Sequence, residues 1–488
     1  MNPRLGVIAV AGVTTAVLVA GCGQTGKLES ESSDGPPEAA KEDLEAGKSE
    51  PVTDPMYPDY GHENIDVLHY GMELDYSPEK KTLSGLVRLT IRPVEDASEL
   101  ALDFSDAMEI SNLTVDGKKT DFDLNEWDLT VDTGLKKDRN VEVEVTYKGT
   151  PELVDAPAER GDMAEGLGAS VGQNGELWAF QEPHGALTWY PVNDHPSDEA
   201  MYDFEVTVPE GYAGVASGTF EGKKGNTYSW SSSDPVASYL TTIAVDKYEM
   251  VEMEGPGDLP VTAWIPPQYA EWEASLKKMP EMIEYLEKLY GPYPFDSAGL
   301  VLVGGESGME TQQMITLSGA VGMGGPEASE SVVVHELAHQ WFGDTVTPLD
   351  WTGLWINEGP ATYAEQMWLV DQGMQTAKDV EKAFEAQDQD LRTQHGPPGD
   401  PDPNAFASSN SYVCPALMLI KLGDQIGGRD KVDELLGAWV AAHENKSVTR
   451  EDFVGFANEH TGKDLTKFFD SWLDSAKTPK DKKDKKKK

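Results

Sequence analysis

Hydrophobic and polar positions change their period once along this chain. From Ile65 onward the stretches VLHYGMELDYS, KTLSGLVRLTIRPV, NEWDLTVD and NVEVEVTYKG alternate apolar and polar residues with period two, and turns such as VDGKK separate them. That pattern predicts half-buried strands, and no long helical period occurs before about residue 268. The expected fold of residues 57–252 is therefore an antiparallel β domain. EGPGDL at 254–259 marks a compositional break. Helical period follows in QYAEWEASLKKMPEMIEYLEKLYG, and GPYPFDSAGLVLV then feeds a strand toward GGESGMETQQMITLSG. Residues 253–476 are thus expected to form a second, mixed and mostly helical domain, ending in TREDFVGFANEHTG, capped by Thr449, and a helix around Leu465–Leu473.

Two apolar helical runs in the second domain carry polar residues at unusual places. Val332–Trp341 reads as a core helix with Ser329 or Ser331 as N-cap and Gly343 as its stop, yet it holds His335, Glu336, His339 and Gln340. Unpaired charge there would be costly. Residues four apart on a helix lie one above the other, so in H-E-x-x-H both imidazoles can meet one ion with Glu336 beside them, a zinc-hydrolase signature. Phe342 and Thr345 stand where one class of such proteins has Gly and a third His, so a third ligand must come from further on. Glu358 is the candidate, in LWINEGPATYAEQMW, which reads as a helix capped by Asn357 with Pro360 in its first turn. Two His and one carboxylate leave a fourth position for water, as in catalytic sites.

HELAHQWFGD followed, with eighteen residues between His339 and Glu358, by WINEG resembles the aminopeptidase N and leukotriene hydrolase family, the M1 zinc metallopeptidases. The resemblance implies one Zn2+ per chain on His335, His339 and Glu358, with Glu336 as general base. It implies an N-terminal β domain, which YGMELDYSPEKKTLSGLVRLTIR resembles, followed by a thermolysin-like α/β, mostly helical, zincin domain. SGMET, residues 307–311, resembles the family's cleft strand, with Gly308 and Met309 beside substrate and Glu310 on its α-amine. WAFQEPHGALTWYPVNDHP resembles a second amine-binding segment, which assigns Glu182 to the same ammonium, although Leu187 stands where many members have Arg. Tyr412, in NSYVCPALMLIKLGDQIGG, aligns with the family's oxyanion partner, with Cys414 and Pro415 replacing the usual Lys and Gly. The implied activity is removal of N-terminal residues from peptides. A thermolysin-type endopeptidase, an epoxide hydrolase of the leukotriene type and a tethered non-catalytic binding lipoprotein are the alternatives. No large C-terminal helical domain follows the resemblance, so an open cleft is expected.

Charge and the chain ends refine this picture. Lys plus Arg number 39 against 86 Asp plus Glu, a net charge of −47 over 488 residues, which argues against nucleic acid as a partner and for a solvated, self-repelling surface. Residues 1–22 combine Arg4, an apolar run and the ending Leu18-Val19-Ala20-Gly21-Cys22, which resembles a bacterial lipoprotein signal. Lipidation at Cys22, export and attachment to the extracytoplasmic face of the membrane are the expectations, with peptides bearing a free N-terminus as partners. Residues 23–56 are acidic and almost free of large apolar side chains and are expected to be a disordered linker. Residues 477–488 are expected to be a disordered lysine-rich tail. Cys414 is the only other cysteine, so no intramolecular disulfide is expected.

Overall fold

The computed structural model describes residues 37, 41–158, 164–321 and 326–480. The expected signal peptide with Cys22, the linker up to residue 36 and the tail from residue 481 lie outside the described residues.

The first domain is built on a nine-stranded sheet. Its centre is Ile65–Ser77, antiparallel to Thr82–Pro93 on one side and parallel to Glu199–Thr207 on the other. The parallel pair departs from the wholly antiparallel expectation. Its cause is visible in the burial of Ile65–Ser77, whose first eight residues are all buried. A strand covered on both faces reads as a continuous apolar run and is suited to parallel pairing, whereas period-two alternation marks half-exposed strands such as Val141–Gly149. A four-stranded sheet containing Leu177–Phe180 packs into the same core, where Trp189, Tyr190, Tyr202 and Trp230 are buried.

The second domain opens earlier than the compositional break suggests. Glu249–Glu254 pairs with Pro260–Ile265, so EGPGDL is a hairpin turn within the second domain's sheet. That five-stranded sheet continues through Ala298–Val303 and Met314–Ser318 in parallel and ends at Gly308–Met309, an antiparallel edge strand. Met279–Tyr290 crosses between the first two parallel strands and buries Met279, Met282, Ile283, Leu286 and Tyr290, the stripe its period requires.

Two helices then lie against each other beneath the edge strand. The motif helix, Pro326–His339, starts at a proline in its first position, one turn before the serines expected as caps. After His339 the backbone opens into a wide turn over Gln340–Asp344, where Gly343 takes φ 131°, a conformation that favours glycine. The ligand helix, Leu354–Asp371, also starts earlier than expected. A single 3-10 turn, Trp351–Gly353, leads into it with Asp350 accepting from Thr352 N, so Asn357 is fully buried inside the helix and is no cap. Pro360 likewise lies in the helix interior. Its neighbour Gly359 packs against Pro415 of the helix Ser409–Ile426, where an added Cβ would come within 2.7 Å of the proline ring.

The expected linker does not extend to residue 56. Residues 47–57 form a strap along both domains. Ser49 Oγ donates to Glu199 O (2.9 Å), Arg92 Nη2 to Ser49 O (2.6 Å), and Val52 N to Ser197 Oγ (3.0 Å). Asp54, 1 % exposed, accepts from Met56 N, Tyr57 N and, across the domain boundary, Trp351 N at 2.8 Å. Low apolar content led the sequence reading to a tether, but backbone and carboxylate hydrogen bonds hold this segment, and these leave no hydropathy signal. Asp54→Ala would strip the acceptor from these amides, each unsatisfied buried donor costing about 1–3 kcal/mol. The expected result is a loss of about 2–4 kcal/mol of stability, read as a lowered urea midpoint, with faster proteolysis at residues 47–57.

Candidate active site

The motif helix presents His335 and His339 one turn apart, and the ligand helix brings Glu358 to the same point. The two Nε2 atoms are 3.2 Å apart, and Glu358 Oε2 lies 3.2 Å from His335 Nε2 and 3.5 Å from His339 Nε2. His339 Nδ1 donates to the carbonyl of Phe342 at 2.9 Å, supplied by the wide turn after the helix. A carbonyl can only accept, so the proton is fixed on Nδ1 and the lone pair on Nε2. His335 Nδ1 faces Glu365 Oε2 at 3.5 Å. Glu365 is seven residues beyond Glu358, two turns along the same face of the ligand helix, and Ser331 Oγ and Gln366 Nε2 donate to its other oxygen.

These residues fit a metal ion. The three ligand atoms lie within 4.8 Å of one another, and two imidazole nitrogens with one carboxylate oxygen are the donor set of catalytic zinc. The outer carboxylate that orients a ligating imidazole is present in Glu365. The electrostatics agree. Burial acts against charge on His335, but Glu358 and Glu365 beside it outweigh this and hold its pKa well above the ordinary value. Burial also opposes ionisation of Glu358, yet the two imidazoles hold its carboxyl below the usual range. Burial pushes Glu336 up to about 7, against the pull of His335 and His339. Acidic groups crowded in an interior of this kind are offset by a dication.

The remaining predicted residues gather around this centre. A cleft of about 310 Å³ is lined by Glu182, Gly308, Glu310, Glu336 and Tyr412 together with the three ligands. Gly308, on the edge strand, is glycine for a steric reason, since a Cβ there would lie 2.7 Å from Glu336 Oε1. Glu310 follows that strand and is buried, with Oε1 3.9 Å from His339 Nδ1. Its backbone is fixed by Gln340, whose Nε2 donates to Glu310 O at 3.0 Å while its Oε1 accepts from Gln313 N at 2.9 Å. Glu182 reaches the cleft from the first domain. Gln181 beside it donates to Ser238 O (2.8 Å) and Thr241 O (2.9 Å) and accepts from Trp189 Nε1 (2.8 Å), which anchors the segment. Tyr412, in the first turn of Ser409–Ile426, stacks its ring at 6.1 Å and 21° on His335. Met309 is different: its side chain is buried in the core, as the alternation of a strand between Gly308 and Glu310 requires.

Glu365, Gln340 and Glu306 are site residues that the sequence reading did not assign. Helical spacing offered a signal for Glu365, seven positions after Glu358, and Gln340 stood out as polar within an apolar helix. Glu306 had no local signal.

Comparison with known proteins identifies both domains. Residues 67–240 match the peptidase M1 N-terminal domain and residues 274–472 the peptidase family M1 domain. The chain is 26 % identical over 293 residues to aminopeptidase B of Rattus norvegicus, covering 56 % of this chain and 44 % of that protein. It is 27 % identical over 315 residues to leucine aminopeptidase 2 of Candida albicans, covering 62 % and 48 %. This chain thus spans under half the length of those relatives. Among solved structures, a variant of the M1 zinc metallopeptidase of Deinococcus radiodurans bound to a Tyr-Ser-Ala substrate superposes with a TM-score of 0.75 at 26 % identity, over 88 % of this chain and 99 % of that one. With both of its domains matched and the zinc-binding geometry in place, this chain belongs to peptidase family M1.

Proposed function

We propose that the protein is a zinc aminopeptidase that removes N-terminal residues from peptides, with one zinc ion per chain. The observation that carries this reading is that Glu310 and Glu182, from different domains, reach the cleft that holds the two-histidine, one-carboxylate set and lie outside that set. Two carboxylates beside a hydrolytic centre suit a free α-ammonium, and an ammonium held there leaves only the first peptide bond within reach of Glu336. An endopeptidase has no use for them.

His335, His339 and Glu358 would hold the zinc ion, which would supply Lewis-acid activation. Glu336 takes the proton from the attacking water and passes it to the leaving amine. Tyr412 donates a hydrogen bond to the developing oxyanion. His339 is kept in the ligating tautomer by Phe342 O, and Glu365 does the same for His335.

The proposal extends to place. The Leu18–Cys22 ending supports lipidation of Cys22 and attachment to the extracytoplasmic face of a bacterial membrane. No helix of the described residues is long and apolar enough to cross a membrane.

Glu336→Gln is expected to keep zinc, measured by metal analysis, while kcat falls by a factor of about 10²–10⁴, the share of a general base. Loss of zinc in this variant would instead make Glu336 a structural support. Tyr412→Phe should lower kcat by about 10²–10³ with KM little changed; an effect on KM alone would reassign Tyr412 to binding. N-acetylation of a good substrate should abolish cleavage, because the cation that Glu310 and Glu182 hold is removed. Efficient cleavage of blocked peptides would mean that the protein is an endopeptidase.

A further inference from the structure

One carboxylate in the cleft has no part in the chemistry above. Glu306 lines the cleft, is exposed, and has no hydrogen bond or ion pair among the described residues. Among the described residues, no lysine or arginine lines the cleft with it. We propose that Glu306 is a specificity-determining residue that favours a lysine or arginine side chain on the departing part of the peptide, at its second or third residue. The inference rests on the aminopeptidase reading and adds a substrate class to it.

Three observations place Glu306. First, it is presented on a rigid turn. Gly304 lies against Trp178 of the first domain, where a Cβ would come within 2.9 Å of the indole, and Gly305, at φ 84°, lies against Phe180, where a Cβ would come within 3.0 Å. Ser318 holds the turn on both sides of Glu306, donating from Oγ to Gly305 O at 2.7 Å and from N to Ser307 O at 2.8 Å. Second, Gly308–Met309 is the edge of its sheet and among the described residues is paired only with Met314–Ser318, which leaves its other side to an extended peptide.

Third, the direction of such a peptide is fixed. Its amine sits at Glu310, after the strand, and the bond to be cut must lie beside Glu336, which abuts Gly308. The departing residues therefore run on past Gly308 toward Glu306. At about 3.3 Å per residue, Glu306 is at most ~13 Å from Glu310, and the second and third residues of the substrate lie one and two steps, ~3 and ~7 Å, beyond the first. Successive side chains project to opposite faces, so a lysine or arginine arm from one of these two residues covers the rest, while the first side chain stays close to the amine.

The test uses zinc-loaded protein and peptides that share a first residue and carry lysine, norleucine or glutamate at the second or third. Wild type should favour lysine over the isosteric norleucine by about three- to fivefold in kcat/KM, the yield of a solvent-accessible ion pair. The lysine-to-norleucine ratio should fall to about one in Glu306→Gln, and Glu306→Lys should favour glutamate instead. Added salt should shrink the wild-type ratio. Equal rates for lysine and norleucine in wild type, a preference that survives Glu306→Gln, or one confined to the first residue would overturn the proposal. Calorimetric Kd values for the same peptides with zinc-loaded Glu336→Gln read the ratio without turnover. If no peptide is trimmed from its N-terminus, the aminopeptidase reading fails, while the Kd ratio still decides the role of Glu306.

Discussion

Everything in the second domain answers to one electrostatic constraint: Glu310, Glu336 and Glu358 are buried together around two imidazoles, in an interior where unpaired charge is expensive. Such a cluster is tolerable only if its atoms converge closely enough to share a cation, and convergence depends on how two helices pack. Gly359 against Pro415 brings the ligand helix close to the helix that carries Tyr412. Ser331 and Glu365 link the motif helix to the ligand helix directly. Pro360 and the replacements Cys414 and Pro415 are buried in the helix packing and leave Glu358 and Tyr412 in the cleft.

A second constraint is that the cleft belongs to both domains. Glu182 is useful only if the first domain is held firmly against the second. Polar contacts help to do this: Tyr239 Oη donates to Gly343 O at 3.2 Å, Gln312 Nε2 to Pro235 O at 3.1 Å, and Trp351 N to Asp54 at 2.8 Å. Tyr239 is buried beneath the wide turn that fixes His339, so the same turn serves the metal site and the domain junction. The edge strand is similarly shared, since the turn leading into it rests on Trp178 and Phe180.

Much of this was legible in the sequence, for definite reasons. H-E-x-x-H has a spacing that only a helix makes useful, and Glu358 followed from the need for a third ligand. Glu182, Glu310, Gly308 and Tyr412 were legible through resemblance alone. The rest depended on tertiary contacts. The parallel pairing of Ile65–Ser77 was hidden because its neighbours in space are far away in sequence. The helix starts were misplaced by one turn because serine and asparagine look alike as caps and as buried or hydrogen-bonded interior residues, which Asn357 and Ser331 proved to be. The strap at 47–57 is held by backbone amides and carboxylates in a stretch whose composition resembles a linker. Glu306 had nothing to mark it until the turn on Trp178 gave it a position.

The strap also sets a load path. Tension that reaches residues 47–57 is borne by Ser49, Val52 and Asp54 through their hydrogen bonds to Glu199, Ser197 and Trp351. Trp351 is seven residues before Glu358 on a continuous run into the ligand helix. The point where a pull on the chain would be borne and the point where the metal is held are thus mechanically in series, separated by two turns of helix.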